Sequence, residues 1–178
     1  CKNQSASAGT AYVGTVSGTS ISFGSSVEFE GGNTTWISAT YDSANEKVVL
    51  SFVDEGDGSK GKARVGTVSG TSISFGSETT YNNGGTVYTS ITYDSNAGKV
   101  VIAFRDQGNS NYGTGIVGTV SGTSISFGSE TVFESARSDY IGIGFDSTAN
   151  KVIVGYSDDG NSSYVTAVVG TVSGTSVS

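Results

Sequence analysis

Trp36, Tyr88 and Tyr140 recur every 52 residues, each at the start of a short run of alternating apolar residues. Rings at fixed spacing on a repeating scaffold can form a platform on which the apolar faces of a ligand stack. Asn33, Asn83 and Arg137 lie within a few residues of these rings and supply amide and guanidinium groups that bond hydroxyls. Tyr112 and Tyr164 add two more rings in neighbouring segments. Aromatic faces beside amides and charges are the make-up of a sugar site, so glycans or a cell-surface receptor are the expected partners. The competing role for the same rings is packing between repeats.

A second set of groups is acidic. Asp54, Asp106 and Asp158 each stand two residues before a glycine, and Asp57 and Asp159 add carboxylates to two of these three segments. Oxygen-rich loops containing glycine can take calcium. The alternating D-x-D-x-D spacing of dedicated calcium loops is absent, and turn formation is the competing role. The expectation is therefore no cofactor, with calcium as the alternative. Asp42, Asp94 and Asp146 are each followed by Ser and begin YDSANEK, YDSNAGK and FDSTANK. Such residues form Asx turns by capping backbone N–H groups. Lys47, Lys99 and Lys151 close those turns and could neutralise the carboxylates.

Catalysis has little to stand on. The chain has no His, which removes Ser/His/Asp chemistry and the commonest general base. No glycine-rich loop precedes a helix to cradle phosphate. A non-enzyme is expected, and glycoside cleavage by paired carboxylates is a distant alternative.

The elements that position these groups follow from repetition. VGTVSGTSISFGS occurs unchanged at 13–25, 65–77 and 117–129, and VGTVSGTSVS begins a fourth copy at Val169. A fixed period of this size marks a repeat architecture. Within one period, 89–94 (TSITYD), 99–106 (KVVIAFRD), 113–120 (GTGIVGTV) and 124–128 (SISFG) read as four short strands separated by turn residues. The second strand has apolar residues on both faces and should be covered on both sides, as with Val100, Ile102 and Phe104 against Val101. The fourth alternates Ile125 and Phe127 with serines, as a half-exposed edge strand does. Ser38, Ser90 and Gly142 mark the first strand as a place where strands converge closely.

The copies differ in two connections. Fourth-to-first segments read VEFEGGNTTW (27–36), TTYNNGGTVY (79–88) and TVFESARSDY (131–140). Second-to-third segments read DEGDGSKGK (54–62), DQGNSNYG (106–113) and DDGNSSYV (158–165). In an up-and-down meander both belong to one edge, and loops on a rigid scaffold are where binding residues concentrate. The expected fold is all-β, made of tandem four-stranded antiparallel meanders, with a stacked β-solenoid or an array of β-sandwiches as the alternative. The division is one repeat domain over 1–178, or a piece of a longer array. It comprises a partial repeat 1–33, repeats 34–85 and 86–137, and an incomplete repeat 138–178.

A meander with a buried middle, a small-residue first strand and a polar last strand resembles the blade of a β-propeller, along the whole chain. The SISFG run is similar to the Phe-Gly of integrin-type propeller repeats, while WD, kelch and Asp-box signatures are absent. The near-identical Gly/Ser/Thr repeats resemble those of viral fibre and bacterial surface proteins. That resemblance implies adhesion, or else a purely structural fibre, filament or shell component. The chain spans about three and a half such blades, fewer than the four that usually close a ring, so self-association to complete a ring or fibre is expected.

Composition sets outer bounds. Nine basic against 16 acidic residues give a net charge of −7, which argues against nucleic acid. No apolar run approaches the length of a membrane span. The absence of Met implies a processed chain or a fragment, and the absence of Pro leaves turns to Gly, Asn, Asp and Ser. The expected location is extracellular, or on a cell or virion surface. The single cysteine, Cys1, reads as the point where a fragment begins, with a lipid anchor as the alternative.

Overall fold

The computed structural model describes residues 8–178, so the reading of Cys1 lies outside the described residues. In chain order the strands are β1 (Gly9–Ala11), β2 (Gly14–Ser17), β3 (Ser20–Phe23), β4 (Val27–Glu30), β5 (Thr34–Asp42) and β6 (Lys47–Asp54). They continue with β7 (Lys60–Ser69), β8 (Ser72–Phe75), β9 (Thr79–Asn82), β10 (Thr86–Asp94), β11 (Lys99–Asp106) and β12 (Tyr112–Ser121). The last six are β13 (Ser124–Phe127), β14 (Thr131–Asp146), β15 (Lys151–Asp158), β16 (Tyr164–Gly170), β17 (Val172–Ser173) and β18 (Ser176–Val177). The described chain is all-β and its strand pairs are antiparallel.

The first full repeat forms one sheet, in the order β5-β6-β7, with β8 and β9 sharing the outer edge of β7, while the unbroken β14 pairs with both β12 and β15 and joins the next two repeats in a seven-stranded sheet. β8 pairs with the second half of β7 and β9 with the first. The fourth strand is thus broken in two, and this corrects the sequence reading. The segments 27–36, 79–88 and 131–140 are not loops throughout; each opens with a strand, β4, β9 or the start of β14. Four-residue runs such as VEFE and TTYN are too short for alternation to separate them from a connection. Their common signal was an aromatic at one repeat position: Phe29, Tyr81 and Phe133.

Those rings lock one repeat to the next. Phe29 meets Phe52 at 5.2 Å between centroids, Tyr81 meets Phe104 at 5.2 Å, and Phe133 meets Tyr156 at 5.3 Å. A side chain at Gly61 or Gly113 would collide with the Tyr81 or Phe133 ring, so glycine lets the ring lie flat on the third strand. Around each pair the sheets stack face to face. Val49, Ala63 and Val65 of one repeat pack with Ile91, Val100, Ile102, Phe104 and Ile116 of the next. In the middle repeat the second strand is covered on both sides, as its sequence requires, with Val100 to Phe104 all buried, whereas in β15 only the face of Val152, Val154 and Tyr156 is buried.

First strands of successive repeats lie side by side, β5 against β10 and β10 against β14. Ile91 N donates to Ser38 Oγ at 3.3 Å and Ile143 N to Ser90 Oγ at 3.4 Å. The small residues therefore serve close approach, as expected, and two of them also cross-link neighbouring strands.

The unchanged motif has a physical reason at each of its glycines. Gly70 and Gly122, with φ near 60°, make the tight hairpin turn. A Cβ on Gly66 would come within 2.7 Å of Ile73 Cδ1 across the hairpin. A Cβ on Gly24, Gly76 or Gly128 would overlap the backbone carbonyl of Thr71, Thr123 or Thr175, the turn threonine one repeat on. Each VSGTS turn is seated on the Phe-Gly of the repeat before it.

Candidate functional site

At the opposite edge the backbone is equally regular, but its side chains vary. Asp54, Asp106 and Asp158 end the second strand, and each caps the turn that follows. Asp54 Oδ1 accepts from Gly56 N at 2.9 Å and Asp57 N at 3.1 Å, and Asp106 Oδ1 from Gly108 N at 2.8 Å and Asn109 N at 3.2 Å. Asp158 Oδ1 accepts from Gly160 N at 2.9 Å. Turn formation thus accounts for these three carboxylates. Asp57 and Asp159 pair with Lys60 and Arg137. Among the described residues no group of three or more acids, His or Cys has metal-site geometry.

In the first repeat a cation is built in. Lys62, buried, places Nζ 2.7 Å from Asp54, 3.0 Å from Asp57 and 2.8 Å from Glu78. Burial alone would lower the Lys62 pKa, but these three carboxylates hold the ammonium well above its ordinary value. Burial likewise pushes Glu78 up, and Lys62, Glu30 and Arg64 more than offset it, so its carboxyl ionises more readily than usual. Glu30, facing it, is raised by burial and by its hydrogen bond to Glu78. The other repeats carry Thr114 and Thr166 in place of Lys62.

The two variable connections touch. Glu55 N donates to Asn33 O and Gln107 N to Gly85 O, both at 2.8 Å. Side chains at the same two positions pair as well. Asn33 Nδ2 donates to Glu55, Gly85 lies against the Gln107 side chain, and Arg137 Nε stands 3.6 Å from Asp159. Asn33, Gly85 and Arg137 are repeat equivalents, as are Glu55, Gln107 and Asp159. The expectation that both connections share one edge is met, and their variable side chains vary in pairs. Asn83 is exposed at the turn, and the neighbouring Asn82 accepts from Gly84 N.

Trp36, Tyr88 and Tyr140 sit where these connections enter the first strand. Pairing with the second strand shifts register at all three places, between Thr35 and Ser38, Val87 and Ser90, and Asp139 and Gly142. The three aromatics take φ of 49°, 55° and 54°, the left-handed region that bulky side chains avoid. These bulges turn the rings into one row. Trp36 lies 4.4 Å from Tyr88, and Tyr88 lies 5.1 Å from Tyr140, with planes tilted by 57° and 52°. Trp36 is 44% exposed and Tyr140 75%, so both ends of the row are open to solvent, while Tyr88 between them is half-buried and packs against the cluster of Ala103, Ile141, Val154 and Tyr156.

Charge surrounds the middle and end of the row. Arg105 stacks 5.0 Å from the Tyr88 centroid and forms an ion pair with Asp139. Arg137 reaches the same Asp139 at 3.0 Å. Burial, then the Asp139 charge, pushes the Tyr88 hydroxyl up, so it remains a donor at neutral pH. Arg105 and Asp139 escaped the sequence reading because nothing repeats there: Val53 and Thr35 stand at those places in the first repeat. Tyr112 and Tyr164 open β12 and β16 at this edge, and among the described residues no ring pair joins them to the row.

At the invariant edge Asp42, Asp94 and Asp146 form the expected Asx turns; Asp94 Oδ1, for example, accepts from Asn96 N and Ala97 N at 2.9 Å. The lysines do not neutralise them. Lys151 instead donates to Thr171 Oγ1 at 2.6 Å, just beyond the third strand. No helix among the described residues is long and apolar enough to cross a membrane. No protein-family model matches the chain, and no characterised protein matches its sequence.

Proposed function

We propose that the chain is a non-enzymatic binding module, propeller-like in architecture, that works outside the cell or on a cell or virion surface. Its ligand is a glycan held on the Trp36–Tyr88–Tyr140 row. The observation that carries this reading is the row itself: three contiguous aromatics, each held at positive φ, with the two end rings open to solvent. Such strain costs on the order of 1 kcal/mol per residue, and it concentrates at ligand clamps and active sites. Pyranose faces present C–H groups that pack on rings, and the flanking Asn33–Glu55 and Arg137–Asp159 pairs offer donors and acceptors to hydroxyls. Because these pairs differ between repeats while the rings recur, successive sugars would meet the same platform with different polar neighbours. The row of first strands and the face-to-face sheets support the propeller-like part of the reading.

A glycan array probed with the full chain tests it. Binding of a defined glycan class that is lost in Trp36→Ala/Tyr140→Ala, with the melting temperature retained, is the expected result. Uniform absence of binding would favour the rival reading, a structural fibre or shell component. The observation behind that rival is the seating of each VSGTS turn on the preceding repeat, which propagates order along the array.

A further inference from the structure

Among the described residues the first and last sheets each lack a neighbour, and what they lack is complementary. At the N-terminal end, β1 and β4 form a two-stranded ribbon that stands where the third and fourth strands of a preceding repeat would be. No first or second strand accompanies them among the described residues. An apolar groove of about 650 Å³ lies beside the ribbon, floored by Ile37, Ala39, Val48 and Leu50. The repeat equivalents of these residues, Thr89, Ile91, Val100 and Ile102, are buried. β10, which carries two of them, packs on β5 and β6, the first and second strands of the repeat before. The internal interface therefore states what fits the groove: a first-and-second-strand hairpin, open face inward.

One such hairpin is uncovered at the other end. In β14–β15 the face bearing Gly142, Gly144, Ile153 and Gly155 has no sheet against it, although the equivalent Val101 and Ala103 are fully buried. Its neighbour β16 continues the open face with Val165, 88% exposed, and Val169, 65% exposed. Val165 stands where Gly61 and Gly113 accept the ring of the next β9-type strand, so its Cβ occupies the place of that ring.

We propose that the groove beside β1 is filled by the β14–β15 hairpin of a second copy of this chain. β1 then takes the edge of β15 that β16 holds. That exchange keeps register, because Thr10, Ala11, Val13 and Gly14 match Thr166, Ala167, Val169 and Gly170. It is a strand swap between copies, a low-cost route to assembly. Since the donating and accepting surfaces differ, the contact is heterologous and builds an open fibre or a closed ring.

The test uses the full chain in a Cys1→Ser background. Light scattering after gel filtration should show mass rising with concentration to twice the chain mass and beyond. In register, Gly155 of one copy faces Ala11 of the next, as it faces Ala167 within its own chain. Oxidised Ala11→Cys/Gly155→Cys protein should therefore give covalent species larger than dimers, while either single variant stops at dimers. Ile153→Lys, a substitution at a half-exposed position, should return the protein to monomer with its circular dichroism unchanged. A monomer at every concentration, with no covalent ladder, overturns the proposal. A two-fold dimer that survives Ile153→Lys overturns it equally.

Discussion

The two edges of the stacked sheets solve one problem in opposite ways. At the VSGTS edge, sequence is unchanged because backbone meets backbone: Gly76 lies against the Thr123 carbonyl, with no room for a Cβ. At the other edge the backbone repeats just as closely, with the same Asp-capped turns and the same bulges at positive φ, yet the side chains on it differ. Variation there falls on positions that touch one another, Asn33 with Glu55 and Arg137 with Asp159. Drift in unconstrained loops would have altered the turns themselves. A fixed backbone with paired, changing side chains is what a surface for ligands of varied pattern needs.

Gly76→Ala strikes the invariant edge where it is least able to yield. Overpacking against backbone should cost about 3 kcal/mol, seen as a lower denaturation midpoint at unchanged slope. Gly31→Ala is the matched change at the variable edge, where the nearest atom to a new Cβ is the mobile end of Glu28 at 3.3 Å. It should shift stability by less than about 0.5 kcal/mol. Equal costs at the two sites would erase the distinction between the edges.

The charged cluster of the first repeat sharpens the comparison, because there the variable edge also carries structure. Lys62→Thr gives this repeat the residue of its neighbours and leaves Asp54, Asp57 and Glu78 without their ammonium. A loss of about 2 kcal/mol at neutral pH is expected, below the cost of breaking a fully buried pair because Arg64 stays and Asp57 is exposed. Glu78 is held below its ordinary value of 4.5, so its contribution is present above that pH and fades as pH falls through the lowered value. Lys62 is held above 10.5, so its contribution persists below that pH and fades on strong alkalinisation. Glu30 is raised, so it favours the folded state at acid pH and opposes the Glu78 trend in part. Denaturation series from pH 3 to 7 should therefore converge for parent and Lys62→Thr at the acid end. Parallel curves would show that the cluster is not electrostatic.

Much of this arrangement was legible from repetition. Comparing copies separated the motif 65–77, whose constancy proved to be contact geometry, from the segments that carry Trp36 and Asn33. Alternation placed the second strand, Lys99–Asp106, at its observed bounds. What escaped depended on contacts between repeats. β9 was hidden because Tyr81 is buried by Phe104 of the next sheet, not by its own. The positive φ at Tyr88 left no trace in residue type, since glycine or asparagine is the usual mark of that conformation. Arg105 and Asp139 occur in one repeat only, so no comparison of copies could bring them together.

The smallest expected effect on stability is also the most telling about the row of rings. Tyr140 sits at φ 54° with its ring 75% exposed, so the fold gains little from the side chain and pays strain to hold it. Asparagine tolerates that backbone better, and the relief of strain offsets the loss of an exposed ring contact with Tyr88. Tyr140→Asn should leave the denaturation midpoint within about 0.5 kcal/mol of the parent, or slightly above it. Glycan affinity should fall about tenfold, the equivalent of about 1.4 kcal/mol of lost stacking. A large loss of stability instead would make the ring a structural pin, and the variable edge would then be held by its side chains as firmly as the invariant edge is held by its backbone.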